Sequence, residues 1–192
     1  MGDTRYCLCC DEEVPFSTVE RNERKEVICA FCGFTLDIEK GSQTSAPEKG
    51  IALIAEDSPF TRKIIEKLIR EKNFSEKVMA LENGLELVSA YGKLLSEKAA
   101  VDVAIIDLNM PVMDGITAAR TLRALEAQNS AQRVPIVFFS AAKADENLRQ
   151  QMELLEPANY VNKGDDADPE KLITRVEMLL SYLMEKYRQP AV

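Results

Sequence analysis

The sequence predicts an α/β domain, a parallel sheet with helices on both faces, preceded by a small cysteine-rich module. Three observations carry this. Beyond Gly50, short apolar runs alternate five times with longer amphipathic stretches, and repeated β–α units give parallel strands joined by right-handed crossovers. A polar or charged residue stands at the carboxyl end of most of those runs. All five cysteines lie within the first 32 residues.

The bulk properties narrow the function. The 192 residues suffice for one ordinary domain and an appendage. No apolar run approaches the roughly 18 residues that a membrane span needs, and the N-terminus lacks a signal-peptide core, so a cytoplasmic location is expected. The net charge of −8 argues against general nucleic-acid binding, whose affinity comes from phosphate neutralisation. The absence of histidine removes imidazole acid–base chemistry and leaves cysteine and carboxylate as metal ligands.

Taken in order, the chain begins with Cys7-x-x-Cys10 and Cys29-x-x-Cys32, 18 residues apart, the spacing of a four-cysteine metal site. Gly33 after the second pair is expected to let the turn aim backbone N–H groups at sulfur. Over residues 1–40 this pattern resembles a zinc ribbon, with structural Zn²⁺ on Cys7, Cys10, Cys29 and Cys32. So short a segment cannot bury enough apolar surface to fold alone, whereas zinc contributes on the order of 10–16 kcal/mol. Two disulfides, or an iron site of the rubredoxin type, would use the same spacing, although cytosolic chains rarely keep disulfides. Cys9 is left over, as a bystander or an alternate ligand. Residues 41–50, rich in Gly, Ser, Thr and Pro, read as a flexible linker.

In the second domain, residues 51–187, Ile51–Ala55 is an apolar strand ending at Glu56-Asp57, and Ser58-Pro59 opens a helix. Lys77–Leu81 is a second strand, and Asn83-Gly84 starts a helix reaching about Lys98. Val101–Ile106 is apolar at five of six positions and ends at Asp107, where a carboxylate is costly unless used. The loop Leu108-Asn109-Met110-Pro111-Val112-Met113-Asp114-Gly115 leads into a helix to about Ala127. Val134–Phe139 is the fourth strand, ending at Ser140, with a helix over 143–155. Ala158–Asn162 is the fifth, ending at Lys163, and Asp168-Pro169 caps a last helix to about Tyr187, followed by a tail, 188–192. The apolar stripe of that helix is wide enough for a core face and a surplus, expected to serve a homodimer or another partner.

Four strand ends thus bring Glu56, Asp57, Asp107, Ser140 and Lys163 to one crevice. Three carboxylates together repel unless a hard divalent cation binds, and Mg²⁺ takes carboxylates, waters and phosphate oxygens. Lys163 and Ser140 suit the other oxygens of a phosphoryl group, and Asp107 suits a nucleophile forming an acyl phosphate. Each residue alone has a plainer use. Glu56-Asp57 favours a helix N-terminus, Ser140 could cap the next helix, and Tyr160 could be an edge aromatic. Their combination carries the argument.

On these residues, with the Leu108-Asn109-Met110-Pro111 and Asp114-Gly115 loop, Ser140-Ala141, and Tyr160 three positions before Lys163, the domain resembles a response-regulator receiver of the chemotaxis-regulator type. The resemblance implies a flavodoxin-like, doubly wound five-stranded sheet of order 2-1-3-4-5. It implies that Asp107 accepts a phosphoryl group from a histidine kinase or phosphotransfer protein. It also implies Mg²⁺ on Asp57, Asp107 and the Asn109 backbone carbonyl, with Glu56 acting through water, and Ser140 and Tyr160 as switch residues. The face made by the fourth helix, fifth strand and fifth helix would then engage a downstream protein. Such a chain is a phosphoacceptor switch rather than an enzyme acting on other substrates.

One departure stands out. Gly164 replaces the proline that usually follows the lysine, so a trans bond or a reshaped loop is expected, because a cis bond without proline costs about 2.5–4 kcal/mol. The alternative function is a constitutive receiver-like scaffold that docks partners through the zinc module. DNA is an unlikely partner for an N-terminal module with five Lys or Arg against nine Asp or Glu through residue 46.

Overall fold

The computed structural model describes residues 4–7, 9–21, 24–38, 49–141, 145–164 and 169–187. Residues 41–48 of the expected 41–50 linker, the cap at Asp168 and the tail lie outside them. By compactness the chain forms two units: the N-terminal sheet with the segment from Tyr160 through the last helix, and the remainder from Lys49.

The N-terminal module is a four-stranded antiparallel sheet in sequential order. Its strands are β1 (Thr4–Cys7), β2 (Glu12–Arg21), β3 (Arg24–Cys29) and β4 (Thr35–Ile38). Both C-x-x-C turns sit at strand ends. Asp11 closes the first with φ 62°, a left-handed conformation that Asp tolerates, and its N–H donates to the Cys7 carbonyl at 2.8 Å. Val14, Phe34, Cys7 and Cys29 are buried, too little apolar surface for independent stability. A bulge between Val27 and Ile28 precedes a buried polar contact, Thr35 Oγ1 donating to Glu26 at 3.2 Å.

The second sheet is built from β5 (Ile51–Ala55), β6 (Lys77–Leu81), β7 (Val101–Ile106), β8 (Ile136–Ser140) and β9 (Ala158–Asn162). Its order is β6-β5-β7-β8-β9, the expected 2-1-3-4-5, with β5 parallel to both β6 and β7, and β7 parallel to β8. The five helices are α1 (Pro59–Glu71), α2 (Gly84–Ser96), α3 (Gly115–Gln128), α4 (Glu146–Leu154) and α5 (Pro169–Tyr187). Central strands β5, β7 and β8 are buried almost throughout, as their continuous apolar runs require. None of the described helices is long and apolar enough to cross a membrane.

Local chemistry sets the helix starts. Ser58, Asn83, Asp114 and Asp145 each accept a backbone N–H from the first turn of α1, α2, α3 and α4. At α2 the cap is reciprocal: the Asn83 side-chain amide donates back to Glu86 Oε1 at 3.2 Å, and Glu86 also accepts the N–H of Glu82 at 2.9 Å.

The fourth strand starts two residues later than Val134. The Val134 N–H donates to Glu126 at 2.8 Å and its carbonyl accepts from Arg123 at 2.9 Å, so neither is left for a ladder, and Pro135 has no N–H. The Arg123–Glu126 pair is buried, at 2.8 Å, and also holds the Tyr91 hydroxyl and the Leu155 and Pro157 carbonyls. This network pins α3 to the segments entering β8 and β9. The Glu126 carboxylate and burial together push the Tyr91 hydroxyl pKa well above its usual value, burial being the larger cause.

Candidate functional site

Two clusters of metal-competent side chains form among the described residues. The first lies at the carboxyl ends of β5 and β7. One carboxylate oxygen from each of Glu56, Asp57 and Asp107 lies within 4.8 Å of the others, with Glu56 and Asp107 buried and Asp57 exposed. The strands run on into the site: the Asp107 N–H donates to Ala55 at 2.8 Å and the Glu56 N–H to Leu81 at 3.1 Å.

The acidic turn is fixed from two sides. Glu56 Oε1 accepts the N–H of Ser58 at 3.2 Å, tying the carboxylate to the N-terminus of α1. Arg62, one turn into that helix, donates to the Glu56 carbonyl at 2.5 Å and the Asp57 carbonyl at 3.3 Å, while pairing with Glu82 at 2.9 Å. Sequence reasoning missed Arg62, whose role is contact with backbone rather than with the acids' side chains.

Asp107 sits where only glycine admits the next helix. A Cβ on Gly115 would collide with the Asp107 carbonyl oxygen and lie 3.0 Å from Leu108 Cα. Without it, the Gly115 N–H reaches the Leu108 carbonyl at 3.0 Å and α3 begins beside the carboxylate. Asn109 in the same loop is exposed, and Val112 is 78% exposed at φ 68°, a strained conformation for a β-branched residue. Ser140 closes β8 and is buried, as is Tyr160 in β9. Lys163 follows β9 and is 7% exposed.

The Lys163–Gly164 bond is trans, the cis bond among described residues being Glu156–Pro157. Gly164 takes φ +74° and its N–H donates to Asn162 Oδ1 at 2.6 Å. The reshaped loop expected from the missing proline is therefore a left-handed turn closed by the Asn162 side chain.

The donor set, three carboxylates converging at one edge of the sheet, fits a hard divalent cation. When bound, such an ion would supply a positive centre for phosphoryl oxygens, with Glu56, Asp57 and Asp107 holding it.

The second cluster is sulfur. Cys7, Cys10, Cys29 and Cys32 place their Sγ atoms within 4.8 Å of one another, pairing across the turns at 3.5 Å (Cys7–Cys32) and 3.8 Å (Cys10–Cys29). A tetrahedron with Zn–S near 2.3 Å has edges of about 3.8 Å, so four thiolates here fit Zn²⁺. The five cysteines are unbridged in this structure. The Cys32 N–H at 3.4 Å and the Phe31 N–H at 3.3 Å approach Cys29 Sγ. Burial alone would raise the Cys29 pKa, but these donors bring it below the usual value. Burial, chiefly, pushes Cys10 up to about 12. Cys7 is raised by its hydrogen bond with Cys32 and by burial. Cys9 lies buried against Cys32.

The turn before Gly33 does aim backbone N–H groups, those of Phe31 and Cys32, at sulfur, while the Gly33 N–H closes it on the Cys29 carbonyl at 2.9 Å; open space surrounds the Gly33 Cβ position, so no clash calls for glycine there. Its φ of +72° is what calls for glycine.

A parallel 2-1-3-4-5 sheet with an acidic cluster at its carboxyl edge defines a class, and the comparisons agree. The family described as response regulator receiver domain matches residues 52–177, and the chain belongs to that family. Hybrid signal transduction histidine kinase E of Dictyostelium discoideum is 32% identical over 95 residues, 50% of this chain and 5% of that kinase. This chain therefore spans only a small part of that relative's length. Among solved structures, the phosphorylated cyanobacterial phytochrome response regulator RcpA superposes with a TM-score of 0.59 at 19% identity, covering 74% of this chain and 99% of that one. The receiver domain of the histidine kinase CKI1 from Arabidopsis thaliana, complexed with Mg²⁺ and BeF3⁻, gives 0.54 at 19% identity, covering 67% and 89%. At these identities the structures show the fold.

Proposed function

We propose that this chain is a phosphorylation-controlled switch of two-component signalling, with Asp107 as the phosphoacceptor. The observation that carries the reading is the Glu56–Asp57–Asp107 cluster at the mouth of the sheet. In the transfer, an Asp107 carboxylate oxygen attacks the phosphorus of a phosphohistidine on a partner kinase or phosphotransfer protein. The new O–P bond forms as the P–N bond breaks, and the electron pair leaves on the imidazole, which takes up a proton. Lys163 neutralises one phosphoryl oxygen, and the Ser140 hydroxyl donates to another. Glu56, Asp57, Asp107 and the Asn109 carbonyl hold Mg²⁺. Water attacking the same phosphorus returns the carboxylate and inorganic phosphate.

Phosphorylation adds roughly −1.5 to −2 charges at the site. Ser140 and Tyr160 respond, and the face of α4, β9 and α5 passes from one arrangement to another that a downstream protein reads. Zn²⁺ on Cys7, Cys10, Cys29 and Cys32 holds the N-terminal module folded, as a protein-docking element.

Denaturing and native mass spectrometry of the full chain, with Mg²⁺ and acetyl phosphate, tests both parts. The expected result is one phosphoryl adduct in wild type, none in Asp107→Asn, and one zinc per chain. Mg²⁺ binding without an adduct in wild type would overturn the switch and favour the scaffold.

A further inference from the structure

Arg175 on α5 bonds both the turn that carries Lys163 and Asp11 of the N-terminal module. Asn162, Lys163 and Gly164 follow directly from β9. On α5, the Arg175 guanidinium donates from Nη1 to the Asn162 carbonyl at 3.0 Å. It also fills the space beside Gly164: a Cβ there would lie 2.6 Å from Arg175 Cζ and 2.8 Å from Nη2. The other arm of the fork, Nη2, pairs with Asp11 Oδ1. Asp11 is the residue after Cys10, held at φ 62° by the metal-site turn, and it also accepts from the Tyr6 hydroxyl. The Arg175 side chain is 11% exposed and that of Asp11 28%, so the pair is partly shielded from water. Phe34 of the module stacks on Tyr182 of α5, with ring centroids 4.8 Å apart. The same unit therefore contains the sulfur cluster, the arginine and the lysine turn.

We infer that Arg175 is a positioning residue for Lys163, and that Asp11 holds Arg175 in place, so that the cysteine module acts in cis on the phosphoryl-binding lysine. The inference rests on the proposed phosphoacceptor chemistry. Where the family's proline would stiffen the residue after the lysine, this chain has a glycine in a left-handed turn with a planar guanidinium laid over it. A planar fork with two arms can hold the Asn162 carbonyl and the Asp11 carboxylate together; an ammonium at that position can serve one of them well but not both.

The test uses the full zinc-loaded chain and two readouts. Phosphorylation by acetyl phosphate with Mg²⁺ is followed by mass, in Arg175→Ala, Arg175→Lys and Asp11→Asn, each with and without Lys163→Ala. Amide hydrogen exchange is followed in the peptide spanning 160–164. Arg175→Ala is expected to slow phosphorylation by roughly ten- to a hundredfold, the cost of misplacing one group. It should leave Mg²⁺ affinity unchanged and speed exchange in that peptide. Arg175→Lys and Asp11→Asn should fall between it and wild type, which keeps the test open if Arg175→Ala folds poorly. In the Lys163→Ala background the same substitutions should change the rate by less than about twofold, because they act through the lysine. An equal slowing with and without Lys163, or wild-type rate and exchange in Arg175→Ala, would overturn the inference. Failure of wild type to be phosphorylated at all would instead refute the phosphoacceptor reading; unchanged exchange in Arg175→Ala would still refute the positioning role.

Discussion

At the scale of single residues, the acidic cluster depends on groups that carry no negative charge themselves. Arg62 grips the carbonyls of both Glu56 and Asp57, so it fixes the turn that presents them. Arg62→Ala is expected to weaken Mg²⁺ binding several-fold with little loss of global stability, measured by isothermal titration beside thermal unfolding. Asp114 shows how a cap is linked to pH. Asp114 is exposed, and although partial desolvation would raise the carboxyl pKa, the Thr117 N–H at 2.9 Å and hydroxyl at 2.7 Å bring it below the ordinary 3.8. A depressed native pKa means the cap's contribution is complete above 3.8 and is lost as pH falls through the lower native value. Asp114→Ala should therefore cost about 0.5–2 kcal/mol near neutrality and progressively less below pH 3.8, in denaturant titrations across that range. Glu56 and Asp57 were legible as punctuation at a strand end, and Asp114-Gly115 as the break before a helix. Arg62 was not, because in sequence it is one more basic residue on an amphipathic helix.

At the scale of elements, strand and helix order was readable because each unit carries its own signals. Apolar runs mark strands, and Ser58-Pro59, Asn83-Gly84 and Asp114-Gly115 mark helix starts. The start of β8 was misjudged because Val134 looks like a strand residue, and its backbone groups are claimed by a pair eight and eleven positions earlier. Nothing in the sequence analysis singled out Arg123 or Glu126 on α3, and both side chains are buried. Breaking a buried pair strands the remaining charge, so Arg123→Ala should cost about 3–5 kcal/mol in chemical denaturation. A double Arg123→Met, Glu126→Leu variant is expected to recover part of that loss, since neither charge is left behind. Surplus apolar positions on α5, read in sequence as a partner face, include Tyr182, which stacks on Phe34 of the same chain.

At the scale of the whole molecule, the two clusters that could hold a metal divide between hard oxygen and soft sulfur. The four cysteines were legible from spacing alone, because C-x-x-C turns are local. The tie from Asp11 to Arg175 spans 164 positions, and no periodicity announces it. Thiolate ligands must be deprotonated, so zinc should be released as pH falls, and the protons of Cys7, Cys10 and Cys32, whose thiols are all raised, return first. Zinc release followed with a chromogenic chelator should come with loss of the antiparallel sheet by circular dichroism, while β5–β8 and α1–α4 keep their structure.

The central claim is that Asp107 carries the phosphoryl group, and one measurement addresses it at the atom concerned. After phosphorylation by acetyl phosphate with Mg²⁺, borohydride reduces an aspartyl phosphate to homoserine, and peptide mass spectrometry locates it. The account predicts homoserine at position 107 alone, dependent on Mg²⁺. Unmodified Asp107 in a phosphorylated chain, or homoserine at Asp57 instead, would contradict it.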